Sequence, residues 1–215
     1  MRAASAAGFT LAELLVVLGS IAALFLLAGL LKARTSRTGS RRAHCASNLS
    51  QIGKACNMYA DVGTNMGHFP NDGTSALRSL NLTHKGYVQD ARVFQCPLNP
   101  KDSTSVVDTC NENAAPNMNR SMTAYGYDRR HTQSHGLAAV AADHGDLDPA
   151  SGNSFNHKGA DGKAPGQNML QGDGHVEWLT SPQRDLDGDG TPDDHIFAND
   201  TPKLGDDEDG WIRDD

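Results

Sequence analysis

The chain has 215 residues, with 19 Lys and Arg against 26 Asp and Glu, a formal net charge of -7, only 6% aromatic residues and 22 glycines. That length admits one modest domain with additions, and frequent glycine with few aromatics favours a compact, loop-rich head over a large enzyme core. The charge is polarised: from Met1 to Lys54 the charged side chains are basic except Glu13, and from Asp185 to Asp215 almost all are acidic. An acidic tail lacks the Lys and Arg that phosphate contacts need, so no nucleic acid partner is expected; it suits cation binding or solubility.

Residues 9–31, FTLAELLVVLGSIAALFLLAGLL, are almost continuously apolar. As a helix rising ~1.5 Å per residue they extend roughly 35 Å, enough to cross a bilayer. A secretory signal would need a shorter apolar core followed by a small-residue cleavage site. Here the small residues, AASAAG, come first, and the apolar run leads straight into Lys32 and Arg34. Glu13 lies one helical turn after Phe9. A carboxylate in such a segment is costly and points to function or a partner. Two readings stand side by side: pairing with a neighbouring chain's amine, or snorkelling to the interface.

Gly8-Phe9-Thr10-Leu11-Ala12-Glu13 resembles the processing site of type IV prepilins and type II secretion pseudopilins. The resemblance implies that a prepilin peptidase cuts after Gly8, that Phe9 becomes the N-methylated terminus, and that Glu13 sets the register of assembly. It also implies that the head lies outside the inner membrane, in the periplasm. The charge pattern points the other way. Five basic residues follow the span closely and only Arg2 precedes it, which by the positive-inside tendency would keep the C-terminal side in the cytoplasm.

Beyond a basic stretch at 32–44, Cys45, Leu49, Ile52, Cys56 and Tyr59 are spaced four, three, four, three. This is one stripe of an amphipathic helix. One long helix to about Ala60 is expected, its second half (32–62) packed by one face on a sheet, with Gly63 and Pro70 after its end. The four cysteines, Cys45, Cys56, Cys96 and Cys110, are an even number consistent with an oxidising compartment. Cys45 and Cys56 lie roughly 16 Å apart along a helix, beyond the ~7 Å Cα separation a disulfide allows. Bridges from the helix to Cys96 and Cys110, or between those two, all remain open on spacing. CASNLSQIGKACNMYA, HFP and YVQDARVFQCP are similar to segments of prepilin-like proteins of the planctomycete–verrucomicrobial type. That resemblance favours Cys96 as a partner of the helix.

Residues 63–180 form the expected α+β head. A short helix is expected at Ser75–Leu80, and strands at Ser121–Tyr127 and Leu137–Ala142. A hairpin is expected over 168–179, turning at Asp173-Gly174, where glycine tolerates positive φ. His157 followed by Asp173-Gly174 resembles the His-x9-Asp-Gly motif of the same group, though the Gly-rich stretch GADGKAPGQ widens the spacing. Asp143, His157, Asp173 and His175 are a candidate polar cluster converging on a cation, set against a structural hairpin whose polar residues merely face solvent.

In the acidic segment 181–215, Asp185, Asp187, Asp189, Thr191 and Asp193 have the alternation of a calcium loop, with Gly190 at the bend. Position twelve is Ile196, not the Glu of an EF-hand, so the pattern looks more like the loops of dockerin or thrombospondin-type repeats. Calcium is the expected cofactor, since closely spaced carboxylates repel one another without a cation.

The fold class expected is pilin-like: a long N-terminal helix, transmembrane in its first half, on a small antiparallel sheet with a loop-rich acidic C-terminus. Residues 1–8 would be the leader. The function implied is a structural subunit of a type IV pilus or a type II secretion pseudopilus, polymerising with itself or its like through an inner-membrane assembly platform. The alternative is a single-span periplasmic protein whose head binds a ligand such as a glycan. No enzyme activity is expected: the sequence lacks a nucleophile elbow, a HExxH motif and a phosphate loop.

Overall fold

The computed structural model describes residues 10–73, 75–84, 86–97, 118, 123–144, 147–159, 161–185 and 194–197, with the backbone alone for 29–38. The chain divides into two compact units, 1–40 and 41–215. Helix α1 (Leu11–Ala60) contributes to both.

The first unit holds the apolar part of α1. Leu11–Ala28 is long and apolar enough to cross a membrane, and none of it is buried. Leu11, Val16, Phe25 and Leu26 are each more than 70% exposed, so among the described residues this surface is uncovered. The helix starts at a capping box. Thr10 donates its backbone N–H and its hydroxyl to Glu13 Oε2 (2.9 and 2.8 Å), and the Glu13 N–H returns to Thr10 Oγ1 at 3.3 Å. This is the Thr-x-x-Glu arrangement that satisfies N–H groups otherwise orphaned at a helix start.

The second unit is built on a four-stranded antiparallel sheet in the order β1-β2-β3-β4. Its strands are β1 (Tyr125–Tyr127), β2 (Ala139–Asp143), β3 (Gln167–Gln171) and β4 (Val176–Leu179). Both outer expectations shift: β1 keeps only the last three residues of the segment expected as a strand, and β2 starts two residues later and ends on Asp143. A register shift between Ala139 and Ala141 lets Val140 and Ala141 face the same core.

That core gathers Leu49, Ile52, Ala55, Cys56 and Ala60 from α1 with Tyr125, Tyr127, Val140, Ala141 and Leu170 from the sheet. The helical stripe is therefore the face that covers the sheet. Gly53 lies in this contact: a Cβ there would come 2.7 Å from Leu170 Cδ1. The glycine that weakens the helix by propensity thus allows its close approach to β3. Short helix α2 (Ala76–Asn81) is capped by Ser75, which accepts from the Arg78 N–H at 3.1 Å.

The opposite face of the sheet, Ala139, Ala142, Met169 and Leu179, is covered by Ile196 with Phe197 beside it. A two-stranded sheet, β5 (Gln183–Arg184) with β6 (Asp194–His195), delivers these residues. The acidic C-terminal segment is thus tied into the head's core through an isoleucine that composition alone hides.

Candidate functional site

Four chain segments meet beside the N-terminal end of the helical stripe. Cys45 of α1 is disulfide-bonded to Cys96, with a Cα separation of 5.4 Å. Cys96 follows the 3-10 turn Ala91–Phe94. The Asn48 side chain donates to Gln95 O at 2.9 Å and the Ala124 N–H to Phe94 O at 2.9 Å, fixing that segment against α1 and the start of β1. Cys56, eleven residues on, is a free buried thiol; Cys110 lies outside the described residues.

Asp143, the last residue of β2, is fully buried. Its Oδ2 takes three contacts: His157 Nε2 at 2.6 Å, the Asn168 N–H at 2.7 Å and Asn168 Nδ2 at 2.7 Å. His157 closes a 3-10 turn, Phe155–His157, capped by Ser154. Asn156 pins this turn by donating to Ala124 O at 2.6 Å. The His157 ring meets the Trp178 edge at 5.2 Å between centroids, and the Arg42 guanidinium stacks 3.5 Å from the Trp178 centroid. Burial pulls Arg42 below its ordinary range, and the charge of Asp143 opposes that fall. Among the described residues, Asp143 Oδ1 and His157 Nδ1 have no hydrogen-bond partner. A ligand atom from each of Asp143 and His157 lies within 4.8 Å of those from Cys45 and Cys96.

The candidate polar quartet is therefore divided. Asp143 and His157 come together in the interior. Asp173 and His175 are exposed at the hairpin tip, where the His175 N–H donates to Asp173 Oδ1 at 2.7 Å. The tip is a three-residue connection: Gly174 donates to Gln171 O at 2.9 Å with φ +88°, and Gln171 N–H to His175 O at 2.9 Å. The turn thus closes on a glycine in the left-handed region.

Asn168, Trp178 and Arg42 escaped the sequence reading. Asn168 and Trp178 are cross-strand partners in the β3–β4 register, so the hairpin pairing itself pointed to them once its tip was placed. Arg42 carried no such signal among its basic neighbours.

The remaining candidates fall elsewhere. Glu13 is exposed and held in its own helix's capping box. Gly8 and Phe9 lie outside the described residues, as do Asp187, Asp189, Thr191 and Asp193 of the calcium-loop pattern. Asp185 follows β5 directly, and Arg184 pairs with Asp194 across the two-stranded sheet, so the ends of the 185–193 segment are held side by side. Strands flank it, not the helices of an EF-hand. At position twelve Ile196 is 0% exposed, which accounts for the missing Glu: that position is committed to the core.

No protein-family model, no curated protein and no solved structure matches this chain.

Proposed function

We propose that this protein is a prepilin-type structural subunit, trimmed after Gly8 and assembled through the apolar part of α1 into a pilus or pseudopilus. The observation that carries this reading is the unburied apolar surface of Leu11–Ala28, which begins two residues after Phe9 and bears a carboxylate in its first turn. A surface of that size needs lipid, other copies of itself, or both. A helix leading by one face onto a small antiparallel sheet is in keeping with a pilin-like subunit. The disulfide suits a head outside the cytoplasm.

The capping box gives Glu13 a role within its own chain. Its presence alone therefore does not separate a filament subunit from a single-span anchored binding protein. A charge-specific substitution does. Glu13→Gln keeps an acceptor for Thr10 and hence the capping box, but removes the charge that would meet the free amine of a neighbouring Phe9. In cells supplied with an assembly platform, the subunit reading predicts normal membrane insertion of the Gln variant and a sharp fall in the filament fraction sheared from cells. Unchanged recovery of filaments from Glu13→Gln would remove the carboxylate from assembly, and absence of wild-type filaments would favour the anchored binder.

Calcium is the proposed cofactor of the 185–193 segment. Hard carboxylate oxygens in that alternation suit calcium, and the β5–β6 pairing that brings the segment's ends together supports it. Extracellular loops of this type bind at ~10⁻⁴ to 10⁻³ M. Excess chelator should lower the melting temperature of the full chain in detergent, and millimolar calcium should restore it; a melting curve indifferent to both would dismiss the metal.

A further inference from the structure

Cys45, Cys96, Asp143 and His157 come from four separate elements and are all buried, with one ligand atom from each lying within 4.8 Å of the others. Two orphaned atoms sit in this group: Asp143 Oδ1 and His157 Nδ1 are buried and unpartnered among the described residues. An unsatisfied buried carboxylate oxygen and ring nitrogen are each costly. The rest of Asp143 is heavily bonded, so the orphan is not a sign of loose packing. The closest pair in the group is His157 Nε2 and Asp143 Oδ2 at 2.6 Å, and a cation seated between them takes the place of the proton they share, since a metal ligand must be deprotonated.

We propose that, when the Cys45–Cys96 bond is reduced, these four residues bind one zinc-class divalent cation, so that the same four segments are joined either by the disulfide or by the metal. The donor set selects the ion. Two thiolates, an imidazole and a carboxylate suit zinc and disfavour calcium, which takes all-oxygen cages. Bond lengths of about 2.0–2.3 Å put tetrahedral ligand atoms roughly 3.3–3.8 Å apart. The four ligand atoms now lie within 4.8 Å of one another, on the scale of that spacing. Charge is also balanced: two thiolates and Asp143 meet the dication and the Arg42 guanidinium, whose field already couples to Asp143. With four protein ligands and no exposure the site is structural.

The chemistry is a two-electron exchange. A dithiol reductant gives two electrons and two protons to the two sulfurs, breaking the S–S bond, and closes to its own disulfide. The cation then displaces the two thiol protons. The metal and the disulfide are therefore mutually exclusive, and reoxidation expels the ion.

The test uses the full chain in detergent micelles carrying Cys56→Ser and Cys110→Ser, reduced with a dithiol and freed of it without air. Cobalt(II) is added as the spectroscopic probe, followed by zinc. The proposal expects a thiolate-to-cobalt charge-transfer band that saturates at one equivalent, is displaced by zinc, and is absent from the oxidised chain. His157→Gln and Asp143→Asn should each weaken binding by about ten-fold or more. Those two variants touch a buried network, so zinc-induced stabilisation is read on the reduced chain with all four site residues intact. Zinc should raise its melting temperature and leave that of the oxidised chain unmoved. No band in the reduced chain, equal binding by the oxidised chain, a band unaltered in folded His157→Gln, or no zinc-induced stabilisation would each overturn the proposal.

Discussion

Asp143 places one carboxylate oxygen under three donors inside the head. Removing it leaves two Asn168 N–H groups and a histidine nitrogen stranded at full desolvation cost. Asp143→Ala is therefore expected to lower unfolding free energy by about 3 kcal/mol, as breaking a buried charged network does, measured by denaturant titration of the oxidised chain. Asp128 shows the same physics with a pH readout. Burial pushes its carboxyl up, but contacts from His131 and Arg130 outweigh burial and hold it below the ordinary carboxylate value. Arg130 pairs with Asp128 Oδ2 at 3.2 Å, and His131 Nε2 stands 3.3 Å from the same oxygen. Because the folded carboxyl is depressed, its contribution is present above the unfolded value of about 3.9 and is lost as pH falls through the lower folded value. Melting temperature should therefore drop on acidification below about pH 4, with a shallower drop in Asp128→Asn. Cys56 is the third case: burial pushes its thiol up to about 12, against a modest opposing contact from Tyr127. Peptide mapping after alkylation of the native chain at pH 8 should find Cys56 unmodified, since the thiolate is the reactive form.

The α1–β3 contact is governed by one absent side chain. A Cβ at residue 53 meets Leu170, which is itself fully buried between helix and sheet. Gly53→Ala gains helix propensity but forces Leu170 to move, and Gly53→Val adds branching to that collision. The valine variant should lose about 1–3 kcal/mol, read from the shift of its unfolding midpoint, with the alanine variant between it and the native chain. The stripe from Cys45 to Tyr59 was legible because a 3.6-residue period survives in plain sequence, although Tyr59 at its end is only half-buried, and the hairpin because Asp173-Gly174 demands a turn. Asp143 and His157 stood together in the candidate cluster and do meet, but the separation of Asp173 and His175 from them was not legible, because it depends on the β2–β3 register and on a three-residue 3-10 turn that no period announces. Ile196 was hidden for a different reason: with Phe197 it makes only a brief apolar step in an acidic stretch, and its burial follows from the β5–β6 pairing, which is only two residues long per strand.

At the scale of the molecule, the residues divide into those that build a head and those that have no use within one chain. The head closes on itself: α1 covers one sheet face, Ile196 the other, and a disulfide ties α1 to the turn before β1. Among the described residues, the surface of Leu11–Ala28 is left unburied. Sequence and structure agree on this surface because an apolar run of that length is visible without knowing any contact. Under the proposed reading, trimming at Gly8 creates the free amine that a neighbour's Glu13 would meet. The most direct measurement is the mass and first residue of the chain recovered from membranes of cells producing a prepilin peptidase. The account predicts loss of residues 1–8, a methylated Phe9 at the new terminus, and retention of full length in Gly8→Ala. A mature chain still beginning at Met1, or one cut at another bond, would contradict it.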